Sequence, residues 1–462
     1  MSNSTYLTKN DKFNNELALK DLKEIQISIR LIASEKPTIT HLNSEGIETV
    51  MELELIGLPL DIILKQEQKT VIGNIAQSFA IANKFQKSIS NNFIYNELLK
   101  LLGDEKFYLK ETFKRDDLLV LLEDLKKIAI QELSTIKVNI ITIVGASIKR
   151  GCVCEVGSIK FVNPLDFVEA HKKLLDGLLN FNEGVKPYIE VFHKCDLVAQ
   201  VKIKNRDTHK SKMLTHEIMK RVYTLIRLSI PSCGGRYNFF GSLGEEYLES
   251  IFSFLFYIDL DDEEKTIDEK TIKSISFERT SNRFSDNNID LEETILPHKG
   301  VDGWFTRIEL IIGRFVNDEE LTDFEKRIWT ALYWYGEAMS EREFNSLIIK
   351  YATCLEALFN SREGGISEQI SEFTAHVIGK NKEERMDIYS TVKKLYSLRS
   401  NAVHGGAIEN NLDSSFLERI RLICVSALLD MSYYSQEDYY HSPKGYDKFV
   451  QYILKEYRFF SV

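Results

Sequence analysis

Apolar residues recur at helical spacing over Phe13–Ala33, Val71–Phe85 and Leu118–Leu133, so residues 1–133 predict a mainly helical N-terminal region broken by short turns. Thr38 to Pro59 is mixed and predicts no single element. The pattern changes at Ile136. Lys137–Val144 is β-branched and predicts a strand, and further strands are expected over Cys152–Val162, Tyr188–Val191 and the alternating run Asp196–Ile203. Helical spacing returns over Pro164–Leu179 and Thr215–Leu228, so residues 134–258 predict an α/β middle region. The charged run Asp261–Glu264 and the polar run Ser281–Asn288 make 259–317 a candidate linker or loop-rich extension, with one strand over Ile272–Phe277.

From Thr322 onward the pattern is helical. Thr322-Asp323 can cap a helix running to about Met339, and Ser340-Glu-Arg-Glu343 fits a capping box opening the next, through Leu347, Tyr351, Leu355 and Leu358. Gly364-Gly365 ends that helix, Ser367 can cap a third ending at Gly379, and a fourth runs from about Glu383 to His404, before Gly405-Gly406. Asp413 can cap a fifth. Short connections between five helices predict a bundle over 318–440, followed by a C-terminal extension over 441–462. The fold class expected is therefore multidomain: a mixed α/β N-terminal region followed by an all-α C-terminal helical bundle.

Composition narrows the picture. The chain is 462 residues with 44% hydrophobic positions, enough for a sizeable core, and its net charge of −10 argues against coating nucleic acid by bulk charge. The first ten residues are polar, with no secretory pattern, and the apolar run Ile251–Ile258 is far short of a membrane span. A cytoplasmic chain with no membrane partner is expected. Six scattered cysteines do not make a disulfide framework. Cys152, Cys154, His193 and Cys195 could hold zinc, yet no second C-x-x-C supports it, and reduced packing thiols are the better expectation. There is no P-loop, no dinucleotide turn and no paired metal carboxylates, so neither metal nor cofactor is expected.

The stretch Leu395-Tyr-Ser-Leu-Arg-Ser-Asn-Ala-Val-His-Gly-Gly406 carries the candidate chemistry. Metal-free RNA cleavage needs a base for the 2′-hydroxyl, a cation on the phosphate and an acid for the leaving 5′-oxygen. Histidine suits the proton steps and arginine the phosphate, and His404 and Arg399 supply both. Five residues on an ideal helix turn the two side chains ~140° apart. Either the helix loosens before Gly405, or a second copy completes the site. Spacing alone also fits a plain helix end.

The wider context favours chemistry. Leu395–Gly405 resembles the R-x4–6-H signature of the HEPN superfamily, and more narrowly the Apea-like HEPN family of bacterial anti-phage defence. Ile349–Phe359 (IKYATCLEALF) resembles that family's LEALF helix and Arg327–Trp334 its opening helix. The resemblance covers about 322 to 435. It implies a HEPN helical bundle and a metal-independent endoribonuclease acting in abortive infection. It also implies Arg399 and His404 as the catalytic pair, Asn401 or Ser400 as the polar residue after the arginine, and Glu356 as the acid that orients Arg399. Ser400 stands where Asn or Asp is common, which leaves the third catalytic position open. It implies a homodimer with the two motifs facing each other. The alternative is a catalytically silent HEPN module that dimerises or binds a partner.

The basic excess lies elsewhere. Lys202 to Arg227 holds eight basic residues against Asp207 and Glu217, whereas 321–462 is net −3. Lys202, Lys204, Arg206, Lys210, Lys212, Lys220 and Arg221 are thus candidate RNA contacts, a solvated strand-to-helix connection being the plainer alternative. Transfer RNA fits as substrate because a folded loop exposes a 2′-hydroxyl. A phage-encoded trigger sensed by residues 1–300 is the expected control, by family analogy.

Overall fold

The computed structural model describes residues 6–8, 11–35, 38–42, 48–52, 64–108, 110, 112–143, 145–173, 175–176, 190–193, 195–229, 258–260, 289–300, 303–341, 343–360, 365–404, 414–436 and 444–460. The chain divides into two compact units: residues 1–137 with 204–213 and 259–265, and residues 138–203 with 214–258 and 266–462.

The first unit is built on helices α1 (Asn15–Glu35), α2 (Gln66–Ala82), α3 (Asn91–Leu102), α4 (Glu105–Tyr108) and α5 (Arg115–Leu133). Their apolar stripes meet in a core that includes Leu22, Ile72, Phe79, Leu98 and Leu121. The stretch without a clear pattern contains an antiparallel hairpin, β1 (Thr38–Leu42) and β2 (Glu48–Glu52), with Thr38 opposite Glu52. Ser90 caps α3 by accepting from the Phe93 amide at 3.1 Å. The buried carboxylate of Asp207 accepts from the Ser90 amide at 3.0 Å and its hydroxyl at 2.5 Å.

The second unit joins a small sheet to a helical C-terminal region. The sheet is formed by β3 (Ile136–Ile143), β5 (Val153–Val156), β6 (Ile159–Val162), β7 (Leu197–Ile203) and β8 (Ile258–Leu260), in the order β5-β6-β7-β3-β8. β4 (Ala146–Ser147) pairs in parallel with β9 (Ile289–Asp290). β5, β6 and β7 run antiparallel, with Val153 opposite Val162 and Ile159 opposite Val201. Every residue of β3 is buried, which suits its β-branched composition as an interior strand. Helix α6 spans Pro164–Ala170, helical backbone resumes at 172–173 and 175–176 after a turn at His171, and residues 174 and 177–179 lie outside the described set. Glu190–His193 is a 3-10 turn, which corrects the expected strand there. That turn seats Phe192 against Phe167, with ring centroids 5.0 Å apart.

Helices α7 (Thr208–Ser229), α8 (Leu291–Ile295), α9 (Trp304–Val316), α10 (Asp323–Met339), α11 (Phe344–Phe359), α12 (Ile366–Ile378), α13 (Lys382–Val403), α14 (Ser414–Gln436) and α15 (Gly445–Phe460) follow. The expectation of a linker over 259–317 needs correction from residue 289 on. Leu291, Ile295, Phe305, Ile308 and Ile312 are all buried there, and α8 and α9 are regular. The expected strand at 272–277 lies outside the described residues. The separate middle and C-terminal domains need correction too. Phe161 and Val201 of the sheet, Val222 of α7, Ile308 of α9, and Ile328, Leu355, Leu395 and Ala427 of the later helices belong to one apolar core.

The helix start expected at Thr322 forms, and two others differ from expectation. Thr322 and Glu325 form the capping box of α10, the threonine accepting from the Glu325 amide at 3.2 Å and Glu325 from the Thr322 amide at 2.7 Å. The box expected at Ser340–Glu343 does not form. Ser340 instead donates back to the Gly336 carbonyl, and Glu343 itself caps α11, accepting from the amides of Asn345 and Ser346. An ionised carboxylate one residue before the helix does this better than a hydroxyl four residues away. Helix α12 starts after Gly365, whose φ of 61° no β-carbon hinders, so Ser367 lies inside the first turn and is not the cap. Asp413 lies outside the described residues. Among the described residues, no helix is long and apolar enough to cross a membrane.

One glycine marks a close helix approach. A β-carbon on Gly336 of α10 would stand 2.2 Å from Oγ1 of Thr224 on α7. Glycine to alanine inside a helix ordinarily stabilises by about 1 kcal/mol. Here we expect Gly336→Ala to destabilise by about 1–3 kcal/mol through overpacking. Urea unfolding should show the loss, and adding Thr224→Ala should recover most of it.

Candidate active site

Helix α13 carries the site. Asn381 caps it, accepting from the Glu384 amide at 2.9 Å, and 22 residues follow without a break to Val403. Only Ile388, Val392, Leu395 and Tyr396 are buried, so the helix lies on its neighbours by a narrow stripe and leaves most of its polar face open. His404 is its C-cap, exposed, with its amide donating to the Ser400 carbonyl at 3.1 Å.

Arg399 and Glu356 come together across α13 and α11. The Arg399 Nη2 lies 3.3 Å from Glu356 Oε1, with the side chains 36% and 19% exposed. The contact is an ion pair without hydrogen-bond alignment: Glu356 Oε1 and Arg399 Nε are buried atoms with no hydrogen-bond partner. Tyr396, one turn before Arg399, donates its hydroxyl to the Ala352 carbonyl at 3.4 Å. Burial first, and then the nearby Glu356 carboxylate, push the Tyr396 phenol far above its ordinary value. It therefore stays a neutral donor at any working pH.

The helix does not loosen before His404, so Arg399 and His404 keep the ~140° separation of an ideal helix. His404 instead shares a register with Ser400, Ser397 and Lys393, which precede it by four, seven and eleven residues. An open cleft of about 450 Å³ follows the Lys393–Ser400 part of this row, lined by Lys393, Ser397, Ser400, Tyr396 and Arg399 of α13 and by Ile366 and Ser367 of α12, while His404 lies outside its lining. Asn401 is exposed, three residues before His404, and lies outside the cleft lining. The sequence reading found Arg399, His404, Ser400 and Glu356 but missed Lys393, Ser397 and Ser367. The spacing of Lys393, Ser397, Ser400 and His404 was the available signal for the first two; Ser367 had none.

The basic run does not gather into one free patch. Lys204, Arg206, Lys210 and Lys212 belong to the first unit, and Lys202, Lys220 and Arg221 to the second. Arg206 is buried, its Nη1 donating to the Asn205 carbonyl at 2.8 Å. Arg221 is buried beneath the ring of Trp329, 3.9 Å from its centroid, and its Nε donates to the Trp329 carbonyl at 3.0 Å. Burial lowers its guanidinium to about 10. Arg206 and Arg221 are thus packing residues, which corrects their place among the candidate RNA contacts. Lys220 is exposed and pairs with Glu337 at 3.0 Å, and Lys202 and Lys204 are exposed. Lys210 and Lys212 are half-buried.

Among the described cysteines, Cys152, Cys154 and Cys195 are half-buried and Cys354 and Cys424 buried; Cys233 lies outside the described residues. Burial pushes the Cys154 thiol up to about 11 and Cys195 to about 12, which disfavours the thiolate a metal would need. Among the described residues, no three of His, Cys, Asp and Glu converge as metal ligands.

Comparison with family models, curated proteins and solved structures returns no match.

The burial of Arg221 separates two roles inside one basic run. Arg221→Gln should cost about 1–3 kcal/mol of stability, through the lost stacking and hydrogen bond. Lys220→Gln, which breaks an exposed pair with Glu337 and a distant contact with the Tyr333 ring, should cost less than about 1 kcal/mol. Thermal unfolding of the two variants side by side checks this.

Proposed function

We propose that this chain is a metal-independent endoribonuclease of the HEPN type. The observation that carries the reading is the Arg399–Glu356 pair at 3.3 Å, beside a cleft whose helix ends in the exposed imidazole of His404. In this mechanism the 2′-oxygen of the substrate forms a bond to the adjacent phosphorus and the bond from phosphorus to the 5′-oxygen breaks. One imidazole takes the 2′-hydroxyl proton, and a protonated group returns one to the leaving 5′-oxygen. The Arg399 fork holds the non-bridging oxygens as charge builds. The products are a 2′,3′-cyclic phosphate and a 5′-hydroxyl. Glu356 is a positioning residue, and Ser400 is better placed than Asn401 to reach a phosphate in the cleft.

The geometry supports a homodimer. On an unbroken helix Arg399 and His404 start ~140° apart, and a second copy would bring the complementary half. The last turn of α13 suits such a contact: Ser400, Asn401, Val403 and His404 are all exposed. The resemblance to Apea-like HEPN proteins supports a place in anti-phage defence, with a phage-encoded trigger and an RNA target such as transfer RNA. A silent dimerising module is the second reading. One observation favours it: His404 does not line the cleft that Arg399 lines.

Incubating wild type and His404→Ala with total cellular RNA in EDTA separates the readings. We expect wild type to leave cyclic-phosphate ends and the variant to be slower by about 10²–10⁴-fold. Arg399→Lys should also fall steeply, because a point charge replaces a planar fork. Equal cleavage by wild type and His404→Ala would refute the mechanism. Dimerisation without cleavage under any trigger would favour the silent module.

A further inference from the structure

The cleft along α13 is longer than one phosphate requires. Its lining holds two cations, Lys393 and Arg399, three serine hydroxyls and no carboxylate. That stands out in a region, 321–462, where acids outnumber bases. Lys393 and Ser400, both in the lining, are seven residues apart on one row of the helix, or ~10 Å along its axis. One phosphate group cannot touch both. The facing wall is the first turn of α12, where Gly365 offers no side-chain cap and Ser367 adds a hydroxyl. Ile366 is an exposed apolar residue on the same wall. A backbone of alternating phosphates and sugars fits this lining: cations and hydroxyls for the anions, an apolar edge for ribose or base.

Lys393 is held in reserve. Its Nζ lies 2.5 Å from Glu368 Oε2, and the other oxygen of that carboxylate accepts from the Tyr389 hydroxyl at 2.5 Å. The side chains of Lys393 and Glu368 are 37% and 50% exposed, so the pair is solvent-screened and weak. A phosphate entering the cleft can take Lys393, while Glu368 keeps Tyr389.

We propose that the cleft is a subsite for the backbone of single-stranded RNA, with Lys393 binding a phosphate distant from the one at Arg399 and His404, and Glu368 as the carboxylate which that phosphate displaces. This rests on the ribonuclease reading for the identity of the strand. The exposed apolar edge at Ile366 suits an unstacked base, which favours a single strand over a duplex. Substrate choice then extends beyond the scissile bond, and Glu368 sets how much of the lysine's charge a substrate meets.

The test is binding by the full-length chain of a short fluorescein-labelled 2′-O-methyl oligouridine, which lacks the attacking hydroxyl. Anisotropy is followed across a salt series. Lys393→Ala should raise Kd several-fold and flatten the slope of log Kd against log salt by about 0.7, the loss of one single-strand phosphate contact. Glu368→Gln should lower Kd, and circular dichroism should show both variants folded. An unchanged slope in folded Lys393→Ala overturns the subsite and leaves the nuclease reading standing. Lys393-dependent binding without cleavage of the unmodified oligonucleotide does the reverse. Equal affinity for a duplex of the same length overturns the single-strand assignment, and no binding by wild type overturns the subsite.

Discussion

Helices α10, α12, α13 and α14 of the C-terminal region all meet on α11, and the burial of that one helix fixes the rest. Ile348, Tyr351, Ala352, Cys354, Leu355, Leu358 and Phe359 are buried along its sixteen residues, so it presents apolar surface to several neighbours at once. Each large side chain of that set contributes roughly 1.5–3 kcal/mol by leaving water. The polar residues left at the margins of α11 are then placed by packing. Glu356 is one of them, and it meets Arg399 because Tyr396, Leu395 and Val392 seat α13 beside it. A displacement of α13 by one turn would move Arg399 about 5.4 Å along the helix and break the pair.

Charge in this chain serves two ends. Arg221 under Trp329, Arg314 against the almost fully buried Glu325 at 2.6 Å, and Arg327 over Tyr446 at 3.6 Å tie helices together at the edge of the core. Each guanidinium sits over an aromatic ring or donates to fixed oxygens, a use that lysine serves poorly. Lys220, Lys393 and Arg399 keep part of their surface open to water. Counting basic residues along the sequence merges these two populations, and only burial separates them.

The sheet and the helices of the second unit are one body energetically. The turn of the β5–β6 hairpin passes so close to α9 that a β-carbon at Gly157 would stand 3.1 Å from the Gly313 amide. Glu309 of α9 accepts from the Gly157 amide at 2.9 Å and pairs with Lys299 at 3.0 Å. With φ at +60°, Gly157 answers the turn and the close approach together. A hairpin bound in this way is a wall of the helical core and not a domain beside it.

The sequence by itself determined the local elements whose pattern is self-contained. The strand over Ile136–Ile143, the helices of the C-terminal region and the end of α13 at His404 follow from residue type and spacing, because a helix or strand answers to its own periodicity. The identity of Arg399, His404 and Glu356 as candidates was legible for the same reason, as a short motif on one helix and an acid on another. Tertiary structure alone decided what those residues face. Whether Glu343 or Ser340 caps α11, whether Arg221 is a ligand or a strut, and whether 289–316 is linker or core depend on partners far away in the chain. So does the cleft, since Ile366 and Ser367 join Lys393 and Arg399 only when α12 and α13 pack. Periodicity records which face of an element is apolar; it carries no record of which other element that face will meet.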